Sequence, residues 1–155
     1  MKLKTLITGF TLLLSFYACK KDHSVTNEIY GEWYEERQWD DSLIFRQAYN
    51  FRKNGGIVIT NSLISSATAK QKGLISRIQG SFSFSGDSLV ISNIGYYTSG
   101  GEGPKRFEEL IYIAQNSRTA YKPVYSQDKS ILTLFFNCPD FANCIPFPKL
   151  TRVKF

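Results

Sequence analysis

The chain has 155 residues, a formal net charge of +6, 43% hydrophobic and 15% aromatic residues. That length suits one domain of ordinary size. Its basic residues form no dense Lys/Arg cluster, so charge gives no reason to expect a nucleic-acid partner. The sole histidine, His23, lies near the N-terminus, so no Ser–His–Asp set can be assembled.

Met1-Lys2-Leu3-Lys4 precedes an apolar stretch, Thr5 to Ala18, which contains Leu6, Ile7, Phe10, Leu12, Leu13, Leu14 and Phe16. Two lysines before a short apolar run match the first two regions of a secretory signal peptide. The run is shorter than the roughly 20 residues a helix needs to span a bilayer, so a transmembrane anchor is not expected. Phe16-Tyr17-Ala18-Cys19 then resembles the bacterial lipobox, where a peptidase cuts before a diacylglycerol-bearing cysteine. It departs from that pattern twice: Phe16 stands where leucine is commonest, and Tyr17 where a small residue is. Ordinary signal-peptidase cleavage fits worse, because Phe16 would occupy a position that needs a small side chain.

These residues predict a signal peptide over 1–18 and a lipidated, flexible tether over 19–28, followed by one domain over 29–155. The tether is polar apart from Val25. Cys19-Lys20-Lys21-Asp22 resembles the start of many Bacteroidetes lipoproteins. The resemblance implies a cell-envelope protein, held at the outer membrane by lipid on either its periplasmic or its surface face. With Cys19 lipidated, Cys138 and Cys144 remain as a pair in an oxidising compartment. A disulfide there staples the Pro139–Asn143 loop and contributes roughly 2–3 kcal/mol. No Cys-x-x-Cys spacing occurs, and zinc would need further ligands, so no metal or cofactor is expected.

Beyond the tether the pattern is that of strands. Leu43, Phe45, Tyr49 and Phe51 alternate with Arg46, Asn50 and Arg52, the period-two mark of a half-buried strand. Asn54-Gly55-Gly56 signals a hairpin turn, with Ile57 to Thr60 returning. A second hairpin joins Ser81–Phe84 to Ser88–Ser92 through Ser85-Gly86-Asp87. A third joins Ala120–Tyr125 to Ile131–Phe136 through Ser126–Lys129, and Lys149 to Phe155 alternates again. Asn61 to Gly73 reads as a long loop or a short helix, and Phe107 to Ile113 as a strand or a helical turn. The sum is an all-β fold of about 8–9 short antiparallel strands, a barrel or a sandwich.

Tyr30-Gly31-Glu32-Trp33 opens the first strand, and a Gly-x-Trp there resembles the lipocalin signature. Tyr49–Gly55, Gly80–Leu89 and Ser130–Leu134 follow in the order seen in lipocalin-like lipoproteins of Bacteroidetes. The resemblance covers most of residues 30 to 155, though each motif is short. It implies a single antiparallel up-and-down barrel of lipocalin-like type, in which Trp33 plugs the closed end, Gly31 lets the chain pass close to it, and Arg152 packs across the indole.

Catalysis has little support. Glu35, Glu36, Asp40 and Asp41 cluster, yet on one strand Glu35 and Glu36 would face opposite ways, as in any solvated strand end. Thr98–Lys105 is glycine-rich but lacks the ending of a phosphate-binding loop. A non-enzymatic, membrane-anchored barrel is therefore expected, binding a small apolar ligand or an envelope partner. Trp39, Tyr96 and Tyr97 are candidate contacts at its mouth. The alternative is an interaction or inhibitor module that presents the stapled 138–144 loop, with Phe141 and Phe147, to another protein.

Overall fold

A computed structural model describes residues 28–136 and 148–153. Eight antiparallel strands follow one another around a closed barrel. They are β1 (Gly31–Gln38), β2 (Leu43–Phe51), β3 (Gly56–Ser65), β4 (Gln71–Ser85), β5 (Ser88–Thr98), β6 (Ile111–Tyr125), β7 (Ile131–Phe136) and β8 (Lys149–Arg152). The barrel closes where Trp33 and Tyr34 of β1 pair with Arg152 and Thr151 of β8. The all-β fold anticipated from the alternation is thus present, as the up-and-down barrel that the resemblance implied, with eight strands.

Turn chemistry sets the strand ends. Between β2 and β3, Asn54 Oδ1 accepts the Gly56 N–H at 3.0 Å and Gly55 takes φ +80°, a left-handed conformation open to glycine. Between β6 and β7, the Asp128 carboxylate accepts the hydroxyls of Ser126 and Ser130 at 2.5 and 2.6 Å. Those bonds hold its carboxyl down at about 2.

The apolar face turns inward. Ile29, Trp33, Phe51, Ile57, Leu89, Leu132, Leu134 and Leu150 are almost completely buried at one end of the barrel. Outward positions carry Glu32, Arg46, Asn50 and Gln79 on the same strands. A barrel that spans a bilayer carries an apolar outer band, the reverse of this pattern.

Two expectations change, and the open reading of Phe107 to Ile113 is divided between its alternatives. Asn61 to Gly73 is neither long loop nor helix: β3 runs on to Ser65, a tight turn follows, and β4 begins at Gln71. Phe107–Glu109 is a single 3₁₀ turn, and the strand begins only at Ile111. Gly31 is explained by its backbone and not by crowding. A Cβ there would meet nothing within 4 Å, but its φ of +117° is strained for any other residue. The glycine-rich stretch after β5 is also tied down, because Lys105 exchanges both backbone hydrogen bonds with Leu74 of β4 at 2.7 and 2.8 Å.

Candidate functional site

Residues directly opposite each other in an antiparallel sheet project to the same face. The strand register therefore assigns every inward row. One row runs Glu35, Gln47, Asn61, Ser76, Thr98 and Ile111 across β1 to β6. The next, toward the closed end, runs Trp33, Tyr49, Ile59, Ile78, Tyr96 and Ile113. The second is apolar or aromatic throughout. The first is polar over five strands.

The polar row is wired together. Gln47 Nε2 donates to Asn61 Oδ1 at 2.8 Å, and Asn61 Nδ2 donates to Ser76 Oγ at 2.8 Å. Tyr49 links the two rows by donating its hydroxyl to Gln47 Oε1 at 2.9 Å. Burial, reinforced by the neighbouring Tyr121 and Glu35, pushes the Tyr49 phenol well above its ordinary range, so it remains a donor. On the far wall Asn93 Nδ2 donates to Ser117 Oγ at 2.9 Å. Its carbonyl, Asn93 Oδ1, is buried with no hydrogen-bond partner. Buried polar atoms are normally satisfied, and an orphan acceptor costs about 1–3 kcal/mol.

β7 and β8 complete the barrel wall at the end where Trp33 lies; toward Gln38 and Ile111, β1 and β6 pair with neither of them among the described residues. At the closed end Trp33 donates its indole N–H to the Ile29 carbonyl at 2.8 Å, and Arg152 lies over the ring at 5.2 Å. Arg152 also donates to the Tyr30 carbonyl at 3.1 Å. Glu28, just before Ile29, ion-pairs with Lys129 at this same end. At the opposite end Arg37 sits 4.4 Å over Phe45, and Trp39 stacks on the same ring at 5.9 Å. Trp39 is 54% exposed, and Ile113 is 48% exposed although it lies in an inward row.

The structure separates two residues expected to act together. Tyr96 shares the inward row of Ile78, whereas Tyr97 faces outward against Tyr112 and Phe107, at 5.1 and 5.3 Å. The irregularity between Asn93 and Gly95 decides which points in, since it shifts the alternation by one residue. Glu35 and Glu36 are likewise split. Glu36 faces outward and pairs with Arg46 at 2.5 Å. Asp40 is spent on its turn, accepting the Ser42 and Leu43 N–H groups at 2.8 Å each, which lowers its carboxyl. No carboxylate pair faces one cleft there.

Cys19, Cys138, Cys144, Phe141 and Phe147 lie outside the described residues. Among the described residues no group of three His, Cys, Asp or Glu side chains is placed to hold a metal. Sequence reasoning passed over Gln47, Asn61, Ser76 and Asn93, because single polar residues within strands carry no recognisable motif. Comparison with family models, with curated proteins and with solved structures found no match.

Proposed function

We propose that this is a lipid-anchored envelope protein whose barrel binds a small amphipathic molecule, its apolar part toward Trp33 and its polar group against the Asn61 row. The observation that carries the reading is the polar row itself. A barrel filled only for stability packs best with apolar side chains, and each buried amide or hydroxyl must be compensated. Here five consecutive strands place polar groups at one level, above an apolar floor and below an aromatic mouth. A few placed polar groups within an apolar surround are the usual make-up of a small-molecule site.

The Gly31-x-Trp33 start, with Arg152 across the indole, supports a lipocalin-like reading of the same barrel. Glu28 lies at the closed end, so a lipid on Cys19 would be joined to the barrel from that side. No catalytic step is assigned to this site.

Side-chain amides test the proposal directly. In the detergent-solubilised full chain, titration with decanoate and with decanol should shift the nitrogen–proton NMR signals of Gln47, Asn61 and Asn93. Those of Asn50 and Gln79, on the outer wall, should stay in place. Asn61→Leu should weaken the interior binding by about tenfold, as expected for one or two lost hydrogen bonds. Shifts confined to outer-wall amides, or absent altogether, would reject interior binding.

A further inference from the structure

The outer wall of β2 to β6 carries a second feature that the interior reading does not use. Outward positions in the middle of these strands are small: Ala48, Val58, Thr60 and Gly95. Longer side chains stand around them, so the wall sinks into a trough. It consists of two adjoining clefts of about 330 and 310 Å³, which share Arg52, Val58 and Arg77.

Where the clefts meet the charges are cationic, Arg52 and Arg77, whereas Glu32 and Arg46 line only the second cleft. Among the described residues neither Arg52 nor Arg77 forms a salt bridge, whereas Arg46 beside them is neutralised by Glu36. Arg77 is held rather than free to swing. Its guanidinium lies 4.6 Å over the Phe107 ring, and its Nε is buried without a hydrogen-bond partner. A fixed, unpaired guanidinium is a ready receptor for a carboxylate or phosphate. Neutral hydrogen-bonding side chains, Asn50, Thr60, Gln71 and Gln79, line the floor on both sides of it. Tyr97 and Tyr112 lie at one end of the trough, Tyr112 being 55% exposed.

We infer that this trough binds an acidic oligosaccharide, with one acid group on Arg77 and Arg52. Length, many neutral hydrogen-bonding partners and a terminal tyrosine pair suit a chain of hydroxyl-rich rings better than a compact anion. The saccharide runs along the outer wall, so this site and the barrel interior are loaded independently.

Calorimetric titration of the detergent-solubilised full chain with hexagalacturonate tests this, with cellohexaose as the uncharged control. Binding of the acidic chain alone is expected, with an affinity that falls as salt rises. Arg77→Gln and Arg52→Gln should each lower it by about tenfold, and Tyr112→Ala by a smaller factor. Arg52 is exposed, so its variant separates lost recognition from lost folding. Asn61→Leu, an interior change, should leave this binding intact. Equal binding of cellohexaose, or unchanged affinity in Arg52→Gln, would overturn the proposal. Competition by inorganic phosphate at the same concentration as the hexamer would also overturn it, by showing a simple anion site.

Discussion

Replacing Trp33 with alanine should destabilise the barrel by about 3–5 kcal/mol, the cost of emptying a fully buried aromatic site. Trp33 is completely buried, touches Tyr125 at 6.0 Å between ring centres and lies under Arg152. The large cavity would open at the level where β8 closes the barrel on β1, and β8 has only four residues with which to hold the seam. The effect should appear as a lower urea midpoint with little change in slope, if the denatured state is unaffected. Trp33→Phe separates the contributions. It keeps most of the apolar contact but leaves the Ile29 carbonyl without its donor, for about 1–3 kcal/mol. A midpoint unchanged in Trp33→Ala would mean that the closed end is not the anchor of the fold.

Gly80→Ala is the second substitution with a large expected effect. A Cβ at this position would lie 2.2 Å from the Ser92 carbonyl oxygen, a backbone atom of the paired strand that cannot rotate away. Gly80 stands at the irregularity where β4 slips by one residue against β5. The added methyl must therefore force the two strands apart or undo the bulge. Overpacking of this kind costs about 3 kcal/mol. Ser83→Ala, at an exposed position of the same strand, is the matched control and should change stability by less than about 0.5 kcal/mol. If the two variants melt alike by circular dichroism, the close approach of β4 and β5 is wrong.

The strand pattern was legible wherever the inward residues are apolar. Phe45, Tyr49 and Phe51 announce β2, and Asn54-Gly55-Gly56 ends it where the structure does, because glycine takes the left-handed turn position there. The reading failed between Asn61 and Gly73 for a specific reason. Asn61, Ser62, Ser65 and Ser76 are buried or half-buried polar residues, and alternation is recognised by its apolar members. A strand that faces inward with asparagine and serine looks like a loop. The stretch hidden from sequence reasoning is therefore part of the candidate site, where local pattern and function pull in different directions.

The aromatic mouth was half legible. Trp39 reads as a contact residue because it sits beside turn formers, and it is exposed over Phe45. For Tyr96 and Tyr97, a bulge near Ile94 sets which ring points inward, and nothing in Ser92-Asn93-Ile94-Gly95 marks a slipped register in advance. Arg152 was found through resemblance alone. Trp33 and Arg152 are far apart in sequence, and only the closure of the barrel makes them direct cross-strand neighbours.

The most direct test of the central claim is native mass spectrometry of the full-length protein, extracted with mild detergent from its own envelope. The account predicts a polypeptide beginning at Cys19 with the added mass of a lipid, accompanied by a bound small molecule released on collisional activation. Asn61→Leu should arrive with that molecule depleted. An unmodified chain carrying no small molecule, in wild type and variant alike, would contradict both the anchor and the binding role of the barrel.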